Sequence, residues 1–230
     1  MVLKSFAKIN LSLNINKKLK NGLHNIQSIY CVINLKDEIS IKKNKYEDKI
    51  QFVGPFSNNV SHTNNSIKNI LKILRKNKLI KDFYNVKILK KIPVFSGLGG
   101  GTSNAASVLK FILKKKIKKK IFDKFSKYVG SDLRLFYFKQ GYQKNLNEIY
   151  KFKKNYNLNF LLAYPKIKCS TKDIFSRVKN YSRTKKLLSK NFDSKTKLIN
   201  YLIYSKNDLQ FIVEKKHPII KKLLKSISKS

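Results

Sequence analysis

Apolar and polar residues alternate strictly between residues 7 and 16. The apolar positions are Ala7, Ile9, Leu11, Leu13 and Ile15. This period of two predicts a half-buried strand. Lys8 and Asn10 occupy two of the intervening positions, so we expect both side chains on the same side of the strand, away from the core.

The rest of the chain mixes helical and strand patterns. Apolar residues at helical spacing predict helices over residues 65–74, from near residue 103 onward, and over 121–128, 171–178, 197–204 and 219–227. Short apolar runs predict strands over 29–35, 38–41, 86–92 and 159–163. This order predicts an α+β fold without strict βαβ repetition. A polar stretch over 144–157 places our predicted boundary between domains 1–150 and 151–230.

The strongest chemical signal lies between the strand at 86–92 and the helix that begins near residue 103. The segment reads Pro93, Val94, Phe95, Ser96, Gly97, Leu98, Gly99, Gly100, Gly101, Thr102, Ser103 and holds four of the chain's eight glycines. Glycine allows positive φ and close approach of backbone to a ligand. Such a loop ahead of a helix N-terminus is typical of anion binding, and the hydroxyls of Thr102 and Ser103 suit phosphate, magnesium or a helix cap. It matches neither Walker A nor GxGxxG, so a capped glycine-rich turn is the simpler alternative.

The formal net charge of +40 at pH 7 first suggests a nucleic-acid partner. Only four of the 52 basic residues are arginine, however, and proteins that recognise nucleic acids favour arginine for bidentate contacts. The abundance of Lys, Asn and Ile is instead typical of A/T-rich coding. We therefore expect no specific nucleic-acid partner.

Cysteine use and hydropathy bear on the compartment. Cys31 and Cys169 are the only cysteines, and their separation predicts neither a disulfide framework nor a zinc site. No apolar run approaches the roughly 20 residues that cross a bilayer, and the alternating N-terminus is unlike a signal peptide. We expect a cytoplasmic protein without membrane association.

Residues 93–106 resemble the phosphate loop of the GHMP kinase superfamily, which reads Pro-x-x-x-Gly-Leu-Gly-Gly-Gly-Ser/Thr-Ser-Asn/Asp-Ala-Ala. Three further segments resemble one family within it, the 4-diphosphocytidyl-2-C-methyl-D-erythritol kinases. They are residues 6–11 (Phe-Ala-Lys-Ile-Asn-Leu), 21–28 (Asn-Gly-Leu-His-Asn-Ile-Gln-Ser) and 130–133 (Gly-Ser-Asp-Leu). The four segments occur in the family's order.

This resemblance implies a GHMP kinase fold, with an N-terminal ATP-binding domain of the ribosomal-protein-S5-domain-2-like type and a shortened C-terminal α+β domain. It also implies a small-molecule substrate, cytidine diphosphate-linked methylerythritol, whose 2-hydroxyl is phosphorylated by ATP with Mg²⁺. The reaction belongs to the non-mevalonate route to isoprenoid precursors.

The resemblance also implies roles for individual residues. Asp132 would accept the hydroxyl proton or orient the hydroxyl, and Lys8 would keep Asp132 ionised and stabilise the transferring phosphoryl group. Residues 93–103 would carry the triphosphate. Asn10 would bind substrate, His24 would read the cytosine edge, and Phe175 would stack on the base. No residue is assigned as a metal ligand, and the oligomeric state is left open.

Three departures from the family pattern keep alternatives open. Leu23 stands where the family usually has Tyr, Arg134 stands where it has Pro, and no glycine follows residue 141, although the family has a further glycine-rich segment near its C-terminus. Four hypotheses remain. The chain is a shortened but active enzyme, a degraded inactive copy, another GHMP kinase of the homoserine or mevalonate type, or a basic nucleic-acid-binding protein with this fold.

Overall fold

The computed structural model describes residues 2–114, 119–185 and 192–229. The strands are β1 (Val2–Lys18), β2 (His24–Asn44), β3 (Lys49–Val53), β4 (Phe83–Leu89), β5 (Gln140–Gln143) and β6 (Ile149–Lys151). The α-helices are α1 (Ser66–Lys76), α2 (Gly100–Leu113), α3 (Lys119–Val129), α4 (Thr171–Ser176), α5 (Lys195–Ile203), α6 (Gln210–Lys216) and α7 (Pro218–Ile227). Two 3₁₀ helices span Ser57–Asn59 and Ser131–Tyr137. The predicted α+β class is confirmed.

The chain divides into two compact units. The first takes its described residues from Met1–Ile9, Val32–Val94 and Leu98–Lys139, and the second takes them from Asn10–Cys31, Phe95–Gly97 and Gln140–Ser230. Strands β1 and β2 contribute residues to both units. The domain boundary that we placed after residue 150 stays a prediction.

The first unit is built on the antiparallel pairing of β2 with β4 and the parallel pairing of β3 with β4. Ile39 lies opposite Ile88, and Ile41 lies opposite Val86, so apolar residues of neighbouring strands share one face. This face packs with the buried residues of the helices into one apolar core. That core comprises Ile39, Ile41, Ile67, Ile70, Leu71, Leu74, Tyr84, Val86, Ile88, Ala105, Ala106, Val108, Leu109, Phe125, Leu133 and Phe136.

Helix α1 forms where the spacing of apolar residues predicts it. The Asn65 side chain caps its N-terminus by accepting a hydrogen bond of 3.0 Å from the backbone N–H of Lys68. Its buried residues recur at positions i, i+3, i+4 and i+7, namely Ile67, Ile70, Leu71 and Leu74. The buried stripe fixes the helix against the core of the first unit.

The second unit contains two smaller apolar clusters beside the antiparallel strands β2, β5 and β6. One cluster is formed by Ile29, Tyr142, Phe152, Phe192 and Leu198, and the other by Leu13, Ile15 and Ile26. The prediction of a strand over 159–163 is wrong, because this segment has no strand partner in the part of the chain that the structure describes. Without a partner, Leu161 is 89% exposed.

Other differences from the predicted elements follow from pairing between distant segments. The strands expected at 29–35 and 38–41 are one continuous strand, β2. Strands β3, β5 and β6 and helix α6 were not predicted, since such short elements have little periodicity of their own. Within the described ranges, no helix is both long enough and apolar enough to cross a bilayer.

Candidate active site

Lys8 and Asp132 form an ion pair in the first unit. Lys8 Nζ lies 3.2 Å from Asp132 Oδ2, and the side chains are 5% and 32% exposed, respectively. Strand β1 supplies the lysine, and the first turn of the 3₁₀ helix Ser131–Tyr137 supplies the aspartate. The pair therefore presents a partly exposed carboxylate beside a desolvated ammonium group.

The same lysine lies directly against the glycine-rich loop. Its backbone N–H donates a hydrogen bond of 3.0 Å to the carbonyl of Leu98. A Cβ atom added to Gly99 would lie 3.2 Å from the Cε and Cγ atoms of Lys8 and 3.2 Å from Phe136. Lys8 is outside the apolar core of this unit, as predicted, and the loop that packs against it leaves it only 4% exposed.

The loop ends at an uncapped helix N-terminus. Helix α2 begins at Gly100, three residues earlier than predicted, and its N-cap Gly99 has φ +70°, in the left-handed region. No side chain caps this helix. The amides of Gly100, Gly101 and Thr102 lie in the first turn, where no helical carbonyl can accept from them. Together with the helix dipole, they form a site for an anion.

Ser103 supports the loop through internal hydrogen bonds. Its hydroxyl donates to the carbonyl of Phe6 at 2.6 Å and lies 2.9 Å from the hydroxyl of Ser5. Its backbone N–H donates to the carbonyl of Gly99. Ser103 is 2% exposed, so it ties helix α2 to β1 rather than offering its hydroxyl to phosphate. Thr102 is less buried, and a Cβ at Gly130 would lie 3.5 Å from its Oγ1.

The remaining residues of the loop divide between the two units. Pro93, Val94 and Leu98 belong to the first unit, whereas Phe95, Ser96 and Gly97 belong to the second. Phe95 has φ +61°, which is uncommon for a non-glycine residue, and its carbonyl accepts a hydrogen bond of 3.0 Å from Cys169.

His24 and Phe175 lie together in the second unit. Their ring centroids are 5.3 Å apart with a tilt of 41°. Phe175 also packs against the apolar cluster of Leu13, Ile15 and Ile26. Burial, and to a smaller extent the charge of Lys18, lower the pKa of His24 below 6.5, so the imidazole is neutral at physiological pH. Asn10 lies in β1 and is half-buried.

Comparison with known proteins identifies the family. The model of the GHMP kinases N terminal domain matches residues 65–124, which include the loop and all of α2. The 4-diphosphocytidyl-2-C-methyl-D-erythritol kinase of Pelagibacter ubique (strain HTCC1062) is 39% identical over 96% of this chain and 79% of its own length. The chain belongs to the GHMP kinase family. It is therefore a kinase that acts on an alcohol acceptor, with ATP as the phosphoryl donor.

Two further comparisons agree with this membership. The kinase of the same name from Ureaplasma parvum serovar 3 is 30% identical over 96% of this chain and 86% of its own length. A crystal structure of 4-(cytidine 5'-diphospho)-2C-methyl-D-erythritol kinase superposes with a TM-score of 0.64 at 17% identity, covering 97% of this chain and 81% of that one. The second comparison confirms the predicted GHMP kinase fold.

Sequence reasoning missed a buried ion pair beneath the loop of this GHMP kinase. Asp37 is completely buried, and its carboxylate accepts hydrogen bonds from the backbone amides of Lys91 at 2.7 Å and Ile92 at 2.8 Å and from the ammonium group of Lys90. A Cβ at Gly100 would lie 3.0 Å from Ile92. Asp37 thus fixes the segment that enters the loop. The sequence did offer one signal for this pair: aspartate is rare in strands, and Asp37 adjoins the residues predicted to form them.

Proposed function

We propose that the chain phosphorylates the 2-hydroxyl of 4-diphosphocytidyl-2-C-methyl-D-erythritol with ATP, in the non-mevalonate route to isoprenoid precursors. The observation that supports the reaction is the Lys8–Asp132 ion pair against the glycine-rich loop of a GHMP kinase. The names of the relatives at 39% and 30% identity support the substrate. We further propose that the enzyme acts in the cytoplasm and has no specific nucleic-acid partner.

Asp132 is the group that accepts the substrate's proton or orients its hydroxyl. Its carboxylate is partly exposed, so it can reach a bound alcohol. The ammonium group of Lys8, 3.2 Å away, holds this carboxylate in position. As the phosphoryl group transfers, Lys8 also stabilises the negative charge on its oxygens, and burial strengthens that interaction because little water screens it.

The loop holds the triphosphate. The first-turn amides of α2 have no helical acceptors, and their dipole favours negative charge. The left-handed Gly99 lets the chain turn into the helix without a side chain between the loop and Lys8. Ser103 contributes by fixing the start of α2 to β1.

Mg²⁺ fits this site as an ion that arrives with the nucleotide. Among the described residues, no group of three or more His, Cys, Asp or Glu side chains could hold a metal by itself. Magnesium in kinase sites takes one or two protein oxygens and completes its shell with phosphate and water. The Thr102 hydroxyl in the first turn of α2 is an oxygen donor that could serve as such a ligand, and bound Mg²⁺ would neutralise charge on the triphosphate.

The proposed substrate-binding residues are His24, Phe175 and Asn10. A neutral imidazole has one donor and one acceptor nitrogen, so either the ring nitrogen or the amino group of cytosine can find a partner on it. The Phe175 ring is anchored by an apolar cluster and offers a stacking surface for a base. Asn10 would hydrogen-bond to the polar part of the substrate.

A turnover assay across alcohols tests the proposal. The purified chain is incubated with ATP, Mg²⁺ and, separately, 4-diphosphocytidyl-2-C-methyl-D-erythritol, homoserine or mevalonate, and ADP formation is followed. We expect turnover with the first alcohol and a phosphate on its 2-hydroxyl. Equal or better use of homoserine or mevalonate would assign a different substrate. No turnover with any alcohol would favour an inactive copy, and an Asp132→Asn preparation controls for contaminating kinases.

A further inference from the structure

A second aromatic ring flanks His24. The Tyr181 ring centroid lies 6.4 Å from that of His24, and the two rings are nearly parallel, with an interplanar angle of 27°. Tyr181 lies in a segment without regular secondary structure, and it is 44% exposed. Two aromatic rings, those of Phe175 and Tyr181, therefore lie beside His24, and the sequence predicted a role for Phe175 alone.

The Tyr181 segment is fixed by hydrogen bonds to distant parts of the second unit. The backbone N–H of Ser182 donates to the carbonyl of Ile15 at 2.8 Å, and the Ser182 hydroxyl donates to Asp208 Oδ2 at 2.7 Å. The same carboxylate oxygen accepts from the backbone N–H of Ile15 at 2.7 Å. An aromatic ring that follows an anchored backbone loses little conformational entropy when a ligand binds.

A third set of hydrogen bonds holds the far end of this segment. The Gln27 side chain accepts from the backbone N–H of Lys185 at 2.8 Å and donates to the carbonyl of Lys185 at 2.9 Å. Gln27 is 2% exposed and follows His24 by three residues in β2. The strand that carries the base-reading histidine is therefore also the strand that positions the segment with Tyr181.

The ring nitrogens of His24 are available to hydrogen-bond to a ligand. Neither of its ring nitrogens has a hydrogen-bond partner among the described residues. His24 is 8% exposed, and the rings of Phe175 and Tyr181 both lie near its ring. A base that hydrogen-bonds to the edge of His24 would lie near the plane of that ring, and the nearly parallel Tyr181 ring could then cover one face of the base.

We propose that Tyr181 is a substrate-binding residue that stacks on the pyrimidine base of the nucleotide-linked substrate. This inference rests on the proposed function, because it takes His24 as the reader of the base. Tyr181 supplies contact area that is indifferent to which base is bound, and His24 supplies the discrimination between bases. The aromatic ring is required for this role and the hydroxyl is not.

The test compares Tyr181→Leu and Tyr181→Phe with the wild type, and Tyr204→Leu is the matched control. Tyr204 is a tyrosine of the same unit that is 84% exposed at the end of α5. Binding of cytidine 5'-diphosphate and uridine 5'-diphosphate is measured by calorimetry with a non-hydrolysable ATP analogue present. KM and kcat are measured with 4-diphosphocytidyl-2-C-methyl-D-erythritol.

We expect Tyr181→Leu to weaken the binding of both diphosphates about tenfold, as the loss of one base–aromatic stack does. KM for the nucleotide-linked alcohol should rise by a similar factor, while kcat and KM for ATP stay within about twofold. The preference for cytidine over uridine should persist, because His24 is intact. Tyr181→Phe and Tyr204→Leu should behave as wild type. Ser182→Ala should give a smaller loss of the same kind, because it loosens the anchor of the ring.

The other outcomes contradict the inference in distinguishable ways. If the wild type binds cytidine 5'-diphosphate and turns over the alcohol, but Tyr181→Leu matches Tyr204→Leu, then Tyr181 does not stack and the proposed function stands. If Tyr181→Leu abolishes the preference for cytidine over uridine, the substitution acts by displacing His24, and the stacking role of Tyr181 is contradicted. If the wild type neither binds cytidine 5'-diphosphate nor uses the alcohol, the proposed function itself fails, and this inference fails with it.

Discussion

The ammonium group of Lys8 lies 3.2 Å from the carboxylate of Asp132, and the carbon chain of the same lysine is the surface against which Gly99 packs. A cation, a carboxylate and the N-terminus of a helix are thereby joined within one compact unit. Phosphoryl transfer depends on the positioning of such groups and on stabilisation of charge, because the protein has little covalent chemistry to perform. This relationship is the basis of the first two predictions.

Removal of the Asp132 charge should abolish most turnover. We expect Asp132→Asn to lower kcat by about 10²- to 10⁴-fold, the usual contribution of a general base. ATP affinity should change little, since the amides of the loop are intact. Steady-state kinetics and calorimetry measure the two effects separately. The control is Asp82→Asn, which breaks an exposed pair with Lys43 and should leave kcat unchanged. A near-wild-type rate in Asp132→Asn would refute the assignment of the base.

A methyl group at Gly99 should weaken ATP binding and slow turnover. The added Cβ would lie 3.2 Å from Lys8 and Phe136, and the φ of +70° is strained for alanine. Gly22→Ala is the matched control, because Gly22 has φ +80° but nothing within 4 Å of an added Cβ. Both variants carry backbone strain, but only Gly99→Ala crowds the site. Equal ATP affinity in the two variants, measured by calorimetry, would show that the close approach of Gly99 to Lys8 has no role.

The buried pair of Asp37 and Lys90 should contribute strongly to stability. Asp37→Asn keeps an acceptor for the amides of Lys91 and Ile92 but leaves the Lys90 charge buried without its partner. We expect a loss of about 3–5 kcal/mol in the free energy of unfolding, measured in urea. The double variant Asp37→Asn/Lys90→Met should recover part of the loss, because it removes the uncompensated charge. A double variant no more stable than Asp37→Asn would contradict this explanation.

The stability that His24 contributes should fall as the pH falls. The folded pKa of His24 lies below 6.5 because the ring is buried and close to Lys18. As the pH falls through 6.5, the unfolded chain therefore binds a proton before the folded chain does, and this favours unfolding. Between about pH 8 and about pH 5.5, the unfolding free energy of the wild type should fall more than that of His24→Gln. A difference that stays constant with pH would mean that the pKa of His24 is unperturbed.

The sequence predicted those parts of the protein that depend on local patterns. Helix α1 has four buried residues at helical spacing, and the glycine-rich loop is a dense local motif. Lys8 and Asp132 were found through short motifs whose order in the chain resembles that of a known family. Their contact depends on how β1 and the 3₁₀ helix Ser131–Tyr137 fold together, which periodicity alone does not specify.

The features that sequence reasoning missed are set by contacts between distant segments. Tyr181 belongs to no periodic pattern, and its place beside His24 depends on hydrogen bonds from Ser182 to Ile15 and Asp208. Asp37 falls between the strands predicted over 29–35 and 38–41, and its burial depends on contacts with Lys90, Lys91 and Ile92. The apolar run at 159–163 resembles a strand in composition, but composition does not supply a neighbouring strand.

A crystal structure of the protein with a non-hydrolysable ATP analogue and Mg²⁺ tests the central claim most directly. We predict that the triphosphate lies at the N-terminus of α2, accepts hydrogen bonds from its first-turn amides, and has its terminal phosphate at about 2.9 Å from the Lys8 ammonium group, as charged hydrogen bonds are. A nucleotide bound elsewhere, with its phosphates away from Gly99 and Lys8, would contradict the account.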